Sequence, residues 1–338
     1  MSLATKYRPR EFEDVCGQPS VVAMLKRSIE TGNISNCYLL CGPSGTGKTT
    51  LARIFASKIN KGLGTPIEID GASNNGVDNV RSIIESAKER ALDATYKTYI
   101  IDECHAITSQ GWQAFLKCIE EPPKYTVFIF CTTDPQKVPE TIKNRVMRLN
   151  LSKVPVSEVR SRLERICESE GFLNYMDTCD YISKLSDGGM RDAIATLEKC
   201  SKYSEDLSIA NAMEVLDGAS YKDYAALTNA ILDKNDKDII GIVDSYYNKG
   251  KDMRLFMDGY LDFTLDLAKY CVFRDMGVTR LPDSFEKDVK YVTGVDQGDN
   301  SRFFKVLANK VLALRNAVAK DSNARATIQV TLLNLREK

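Results

Sequence analysis

A glycine-rich segment carries the residue types and the spacing of a phosphate-binding loop. It reads Gly42-Pro43-Ser44-Gly45-Thr46-Gly47-Lys48-Thr49. The glycines allow a tight turn in which several backbone N–H groups face a phosphate, and a following helix adds its positive N-terminal end. In this pattern Lys48 reaches the β- and γ-phosphates, and the Thr49 hydroxyl ligates Mg²⁺. The segment therefore predicts binding of ATP or GTP.

The sequences on both sides of this loop have the periodicity that its mechanism needs. Residues 37–41 form a short apolar run typical of a buried strand, and residues 50–59 carry apolar side chains at helical spacing. Thr50, at the start of that helix, is a further nucleotide-binding candidate. The alternative is a glycine-rich turn that matches the pattern by chance, and the two correct flanks argue against it.

Two adjacent carboxylates at the end of a second apolar run are the candidates for hydrolysis. Residues 98–102 have the pattern of a buried strand that ends in Asp102, and Glu103 follows directly. We expect Asp102 to hold Mg²⁺ from its outer shell and Glu103 to polarise the attacking water. The alternative is an acidic pair at a helix N-terminus without a catalytic role. The phosphate loop upstream favours catalysis.

Length and charge limit the class of protein. The 338 residues suffice for two or three domains, and the formal net charge is zero. Because the chain has no global electrostatic attraction for nucleic acid, any contact with it must come from a local surface. A basic arm as the means of binding nucleic acid is excluded.

The cysteine and histidine pattern argues against a metal or disulfide framework. The ten cysteines include no Cys-x-x-Cys pair, and most lie beside apolar residues, which is typical of buried thiols in a reducing compartment. His105 is the only histidine, and we expect it to be structural, because one histidine cannot build a His-rich metal site. The N-terminus has no apolar core of signal-peptide type, so we expect a soluble, cytoplasmic protein.

Strand-like and helical segments alternate in the first part of the chain. The strand candidates are residues 38–41, 67–70, 98–102, 127–132 and 146–151. This alternation predicts an α/β fold with a five-stranded, mainly parallel sheet that has helices on both faces. The nucleotide then lies at the carboxyl ends of the strands, where the phosphate loop and both carboxylates fall.

An almost purely helical pattern follows residue 151 and predicts separate helical domains. Val154-Pro155-Val156 opens this part, and further breaks fall at Gly188-Gly189 and Asp217-Gly218. The predicted division is residues 1–152 for a P-loop domain, 153–217 for a small helical lid and 218–338 for a last helical domain.

Several further motifs, together with the phosphate loop and Asp102-Glu103-Cys104-His105, carry a family resemblance. They are Lys6-Tyr7-Arg8-Pro9, Val15-Cys16-Gly17-Gln18, Asp70-Gly71-Ala72-Ser73-Asn74-Asn75-Gly76-Val77, Phe115-Leu116-Lys117, Glu120-Glu121-Pro122-Pro123 and Cys131-Thr132-Thr133-Asp134-Pro135. In combination they resemble the AAA+ ATPases, and within them the clamp-loader subunits, most closely the gamma/tau type of bacterial DNA polymerase III. The motifs span nearly all of residues 1–152, whereas the helical domains match in pattern more than in residues.

The resemblance implies how the nucleotide is held. In clamp loaders two segments cup the adenine, which implies ATP as the nucleotide. The residues of this chain that match them are Tyr7, Arg8, Pro9, Val15, Gly17 and Gln18. Thr133 is similar to the sensor residue that hydrogen-bonds the γ-phosphate or the attacking water.

The resemblance also implies two arginines at the phosphates. Arg191, in Gly188-Gly189-Met190-Arg191-Asp192, resembles the lid's sensor over the phosphates of its own subunit. Arg145 lies where the family has a finger arginine that enters the neighbouring subunit's site. By residue type alone, either arginine could instead cap a helix or pair with an acid at the surface. A finger acting in trans implies poor ATP hydrolysis by the isolated subunit.

DNA contact is implied by positions similar to those that line the central chamber of clamp loaders. The candidates are Asn74, Asn75, Gly76, Arg81, Ser109 and Gln110. Amides, hydroxyls and helix N-termini suit phosphate oxygens and read no sequence. The alternative is a solvated loop followed by an ordinary amphipathic helix.

The chain departs from the bacterial pattern in three places. Residues 60–66 stand where those subunits carry a four-cysteine zinc module, so no structural zinc is expected. The chain stops after the third domain without the tail of the longer bacterial form, which implies a motor subunit only. Asn144 and Val146 replace the serine and cysteine that usually flank the finger arginine, which puts the local support of Arg145 in doubt.

The function that the resemblance implies is that of an ATPase subunit of a sliding-clamp loader. ATP binding would favour a ring-like pentamer with partner subunits that grips the open clamp, and hydrolysis on primer-template DNA would release it. The last domain would form the oligomer collar through apolar residues such as Leu312, Leu314, Ile328, Val330, Leu332 and Leu333. The alternatives are another DNA-acting AAA+ motor, such as a branch-migration helicase, and a scaffold subunit that holds ATP without turnover.

Overall fold

The computed structural model describes residues 1–216, 221–294, 298, 300–318, 321 and 323–334. The predicted domain boundary at Asp217-Gly218 lies outside these residues. The chain divides into two compact units, one formed by Met1–Arg162 with Ser186–Ala195 and the other by Leu163–Leu185 with Thr196–Lys338. The finer division into three domains remains a prediction.

The first unit is built on a single sheet of five strands within the described residues. The strands are β1 (Cys37–Cys41), β2 (Ile67–Asp70), β3 (Lys97–Asp102), β4 (Thr126–Thr132) and β5 (Met147–Asn150). Their order is β2-β3-β4-β1-β5, and each neighbouring pair is parallel. The prediction of a five-stranded parallel sheet is confirmed, and the apolar runs located each strand to within one residue or so at either end.

Helices cover both faces of this sheet, as predicted. They are α1 (Leu3–Lys6), α2 (Pro19–Thr31), α3 (Lys48–Ile59), α4 (Val77–Ala87), α5 (Ser109–Glu120) and α6 (Glu140–Lys143). Because side chains alternate along a strand, Tyr38 packs on one face with Phe55 of α3, and Leu39 packs on the other with Phe115 of α5. Burial on both faces explains why β1 has apolar residues at every position and why β4 is apolar between its terminal threonines.

The strand order places the loops that carry chemistry at one edge of the sheet. After β1 the chain crosses to β2 at one side of the sheet, returns through β3 and β4, and then adds β5 on the other side of β1. The reversal of strand order beside β1 opens a crevice at the carboxyl ends of the strands. The loops after β1, β3 and β4 therefore converge there.

The second unit is helical throughout its described residues. Helices α7 (Val156–Glu170) and α9 (Met190–Tyr203) contribute residues to both units. The other helices after β5 belong to the second unit alone. They are α8 (Met176–Leu185), α10 (Ile209–Val215), α11 (Tyr221–Leu232), α12 (Asp236–Asn248), α13 (Met253–Phe273), α14 (Glu286–Thr293), α15 (Ser301–Val318) and α16 (Ala324–Asn334). In the described parts of the chain, no helix is both long and apolar enough to cross a bilayer.

The six apolar residues predicted for a collar differ in burial. Leu314, Ile328 and Leu332 are buried in the second unit's own core. Leu312 and Val330 expose 43% and 59% of their surface, and Leu333 is half-buried. Of the six, Leu312, Val330 and Leu333 remain accessible to a neighbouring subunit, so the proposed collar contact is limited to these three.

Candidate nucleotide-binding and hydrolysis site

The phosphate loop joins β1 to α3 with the backbone geometry that its glycines were expected to provide. Gly45 and Gly47 adopt left-handed conformations, with φ of 72° and 98°. A Cβ at Gly42 would lie 2.6 Å from the Leu151 carbonyl oxygen, so only glycine fits there. α3 begins at Lys48, directly after the loop, which aims its N-terminus at the turn.

Lys48 lies inside the loop and contacts its backbone. Its Nζ donates to the carbonyl oxygens of Gly42 at 2.9 Å and Pro43 at 2.8 Å. Burial lowers the pKa of this ammonium, and the Glu103 and Asp102 carboxylates act in the opposite direction. The cation is thus positioned beside the loop amides, where a phosphate can replace the two carbonyls as its partner.

Thr49 and Asp102 meet across the crevice between β1 and β3. The Thr49 hydroxyl donates to Oδ2 of Asp102 at 2.7 Å, and the other carboxylate oxygen accepts from the Glu103 amide at 3.0 Å. Hydroxyl and carboxylate oxygens are the hard ligands that Mg²⁺ prefers. Thr49 and Asp102 therefore offer oxygen donors that fit a divalent metal ion such as Mg²⁺.

Glu103 is held by two side chains from the edge of the sheet. Its backbone has φ of 46°, an uncommon conformation for a residue with a side chain. Thr133, which follows β4, donates its hydroxyl hydrogen to Oε2 of Glu103 at 3.0 Å. His105 places Nδ1 3.2 Å from the same oxygen and 3.2 Å from the Thr132 hydroxyl. The structure thus brings the predicted water-activating carboxylate and the predicted sensor together, and it adds His105.

Most of the predicted nucleotide-binding residues surround one cleft of the first unit, whereas Gly17 is not among the residues that line it. Residues that line it include Tyr7, Arg8, Pro9, Val15, Ser44, Gly45, Thr46, Gly47, Lys48, Thr49, Thr50, Asp102, Glu103 and Arg191. Gln18 instead holds the backbone at Ser152. Its side-chain amide donates to the Ser152 carbonyl at 2.7 Å and accepts from the Ser152 amide at 3.2 Å. Gly42 and Pro43 contribute the carbonyls that hold Lys48.

Sequence reasoning missed part of the cleft wall. The missed residues are Ala4, Asp14, Val154, Arg162, Met190 and Ile194, whereas Cys16 lies within the predicted segment from Val15 to Gln18 and also lines the cleft. Asp14 precedes Val15, and Met190 precedes Arg191, so proximity to a predicted residue was a usable signal for them. Arg162 lies within α7 among alternating charges and had no such signal.

Arg191 reaches the cleft because the backbone before it contacts the phosphate loop. The Met190 amide donates to the Gly45 carbonyl at 3.0 Å. A Cβ at Gly45 would lie 3.1 Å from Cα of Gly189, so the two glycines permit a close approach. This contact places Arg191, in the first turn of α9, on the cleft wall.

Arg145 lies just beyond α6 and contacts residues outside the cleft. Its Nε is 2.9 Å from Oε1 of Glu120, and its Nη1 donates to the Thr141 carbonyl at 2.8 Å. The side chain is 40% exposed. These contacts hold the guanidinium at the surface, an arrangement that suits both a finger for a neighbouring site and a simple surface ion pair.

The residues predicted to contact DNA converge only in part. Gly76 and Ser109, at the starts of α4 and α5, line one groove together with Gln110. Asn75 precedes Gly76 in the chain. Its carbonyl accepts hydrogen bonds from the Thr108 amide and hydroxyl, both at 3.1 Å. Two neighbouring helix N-termini at one groove are a suitable surface for phosphate.

Two of the DNA candidates have partners within the chain. The Asn74 side chain donates to the Asp70 carbonyl at 3.0 Å, and Arg81 pairs with Asp78 at 3.2 Å on the exposed face of α4. Exposed ion pairs are weak, so Arg81 can exchange this partner for a phosphate at little cost. Asn74 is more firmly tied to the turn that it stabilises.

Comparison with known proteins relates the first unit and much of the rest to replication proteins. A family described as "DNA polymerase III, delta subunit" matches residues 64–155. The DNA polymerase III subunit tau of Bacillus subtilis is 33% identical over 286 residues, covering 78% of this chain and 51% of that protein. The gamma/tau subunit of Mycoplasma genitalium is 30% identical, with 83% and 51% covered. The chain spans about half the length of these relatives.

Solved structures agree on the fold. The Thermotoga maritima RuvB Holliday junction branch migration motor superposes with a TM-score of 0.54 at 23% identity, covering 67% of this chain and 79% of that one. At this identity the likeness concerns the fold alone, an α/β P-loop domain followed by helices.

Proposed function

The chain is a relative of the DNA polymerase III gamma/tau subunits, and we propose that it is the ATPase motor subunit of a sliding-clamp loader. ATP binding would favour the assembly that opens the clamp, and hydrolysis on primer-template DNA would release it. The observation that supports this most is the convergence on one cleft of Lys48, the Thr49–Asp102 pair and Glu103, whose carboxylate Thr133 contacts.

The phosphate loop would bind the triphosphate by exchange of partners. Lys48 would give up the carbonyls of Gly42 and Pro43 for oxygens of the β- and γ-phosphates, while the loop amides and the N-terminus of α3 bind from the other side. Thr49 would coordinate Mg²⁺, with Asp102 accepting hydrogen bonds behind it. Mg²⁺, when bound, neutralises charge on the transferred phosphate.

Hydrolysis would depend on the position of Glu103. Its carboxylate would orient the attacking water towards the γ-phosphate and accept the proton that the water loses. Thr133 and His105 hold this carboxylate before nucleotide arrives. With ATP bound, Thr133 would donate to the γ-phosphate or the water, as a sensor does.

The two arginines would complete the site from different subunits. Arg191 is on the wall of its own cleft and would stabilise the phosphates in cis. Arg145, held at the surface by Glu120, would enter a neighbour's cleft. An arginine supplied in trans raises phosphoryl-transfer rates by about 10³-fold or more, so turnover would depend on assembly.

DNA would bind the groove at Gly76, Ser109 and Gln110 through its phosphates. One neutral subunit offers few such contacts and would bind weakly. Several subunits around one duplex would act together through their effective concentration. The proposed partners are therefore other loader subunits in a pentameric ring, the sliding clamp and primer-template DNA.

An ATP-binding scaffold without turnover is less well supported. Lys48, Asp102, Glu103 and Thr133, the residues that hydrolysis would need, are all present, and Thr133 is hydrogen-bonded to Glu103. A branch-migration motor has only the common fold in its favour.

Steady-state ATP hydrolysis tests the proposal. The purified chain would be assayed alone and then with its partner subunits, clamp and primer-template DNA added in turn. We expect low basal turnover that rises with partners, DNA and clamp together. Substantial turnover with DNA alone, indifferent to the clamp, would instead favour a translocating motor.

A further inference from the structure

Two side chains of α7 contact both backbone segments that cup the base. The base cup is defined here as residues 7–9 and 15–18. The Arg162 guanidinium donates from Nη2 to the Tyr7 carbonyl at 2.7 Å, and Oε2 of Glu158 accepts from the Gly17 amide at 2.7 Å. Glu158 and Arg162 are four residues apart and therefore lie on the same face of the helix.

The second segment of the base cup is pressed against the start of this helix. Gly17 has φ of 74°, and a Cβ on it would lie 3.1 Å from Cα of Val154 and 3.2 Å from Cδ of Pro155. Gln18 adds its two hydrogen bonds to Ser152. The amide that Glu158 binds thus belongs to a backbone turn whose position determines where Val15 and Cys16 meet the nucleotide.

The first segment depends on Arg162 in a similar way. Tyr7 ends the short helix α1, and its carbonyl is the acceptor that Arg162 binds. Arg162 also lines the cleft itself, beside Tyr7, Arg8 and Pro9. Its guanidinium is therefore placed both to fix the first segment and to face the nucleoside.

We propose that Glu158 and Arg162 are positioning residues that set the affinity for the nucleoside part of the nucleotide. The inference rests on the proposed ATP binding and goes beyond it, because it assigns the base cup's geometry to α7. Both contacts are charge-assisted hydrogen bonds, the stronger kind. Neither residue contacts Lys48 or the loop glycines in the described hydrogen bonds, so binding of the phosphates alone does not depend on them.

Two calorimetric titrations separate binding of the nucleoside from binding of the phosphates. One uses Mg-ATP, and the other uses inorganic tripolyphosphate with Mg²⁺. Arg162→Met and Glu158→Ala are each expected to weaken ATP about tenfold, the worth of one hydrogen bond to a charged group, and to leave tripolyphosphate unchanged. Arg162→Lys and Glu158→Gln keep a donor and an acceptor and are expected to recover most of the affinity. Arg165→Met, at an exposed position of the same helix, is the matched control.

The outcomes are distinguishable. Equal losses for ATP and tripolyphosphate, or unchanged ATP affinity in Arg162→Met and Glu158→Ala, would overturn the assignment. Arg162→Met could fail to fold, and in that case Arg162→Lys takes its place in the test. Arg162→Lys should bind ATP more tightly than Glu158→Ala does, and equal or weaker binding would contradict the assignment. A wild-type chain that binds neither ligand would overturn the proposed function itself, and this assignment with it.

Discussion

The Thr133 hydroxyl donates a hydrogen bond to the carboxylate of Glu103 at 3.0 Å, across the ends of two neighbouring strands. Parallel pairing of β3 with β4 makes this contact possible, because residues just beyond paired strands emerge at the same edge. The bond holds the carboxylate that we propose activates water against the residue that we propose senses the γ-phosphate. Binding of ATP would then change the contacts of Glu103 and Thr133 together.

Replacement Glu103→Gln tests the role of the carboxylate. The amide keeps the size and can still accept from Thr133, but it cannot take a proton from water. We expect ATP affinity to change little and turnover in the assembled complex to fall by about 10²-fold or more. Single-turnover hydrolysis and equilibrium binding measure the two effects separately, and turnover close to wild type would exclude Glu103 as the base.

Replacement Thr133→Val removes the hydroxyl and keeps the shape. Loss of one hydrogen bond to a charged group is expected to lower turnover by about tenfold, with ATP binding largely retained. Thr133→Ser restores the hydroxyl and is the matched control. Wild-type turnover by Thr133→Val, or a defect in Thr133→Ser as large as that in Thr133→Val, would contradict a specific role for the hydroxyl.

Replacement Lys48→Ala is expected to abolish measurable ATP binding, because Lys48 is the cation that the phosphate loop itself would offer to the β- and γ-phosphates. Lys58→Ala, on the same helix, removes an exposed cation that pairs with Glu11 and should bind ATP as the wild type does. A fluorescent ATP analogue measures both. Retained binding by Lys48→Ala would show that the phosphates lie elsewhere.

Much of this site was predictable because its signals are local. The strands β2 and β3 were located from apolar runs, and Lys48, Thr49, Asp102 and Glu103 from spacing. The order of the strands in the sheet could not be predicted, because an apolar run does not specify which strands lie beside it. The prediction that Thr133 is a sensor came from the family resemblance, and its hydrogen bond to Glu103 is known only from the structure.

Replacement Arg145→Ala is expected to act only after assembly. The isolated chain should hydrolyse ATP at the same low rate as wild type, whereas a complex that carries the change in every copy should lose about 10³-fold. Glu120→Gln removes the ionic partner but keeps the arginine, and serves as the control for loss of the ion pair. Normal turnover in the assembled Arg145→Ala complex would contradict the assignment of Arg145 as the finger arginine.

Cys16 offers a chemical test of where the nucleotide binds. All ten cysteines lie among the described residues, and Cys16 is partly exposed on the cleft wall while the others are buried. Burial raises the pKa of Cys37 to about 12 and that of Cys200 to about 11, so these thiols stay protonated and unreactive at neutral pH. An aromatic disulfide reagent should label Cys16 first, and ATP should slow that labelling.

Cys16→Ser is the control for this experiment and should remove the fast phase. A fast phase that survives in Cys16→Ser, or one that ATP leaves unchanged, would contradict the assigned position of the base cup.

The residues that sequence reasoning missed have a common physical reason. His105, Glu158 and Arg162 are polar residues whose partners are distant in sequence or depend on a turn. A histidine alone and a charge on a helix are most simply interpreted as structural or solvated. Only the fold shows that His105 reaches Glu103 and that Arg162 reaches Tyr7.

The most direct test of the clamp-loader assignment is transfer of a labelled sliding clamp onto primed circular DNA by a complex reconstituted with this chain. We predict transfer that requires ATP, that is lost with Lys48→Ala, and that stalls with Glu103→Gln before the clamp is released. Transfer that proceeds without ATP, or that is undiminished by Lys48→Ala in every copy, would contradict it.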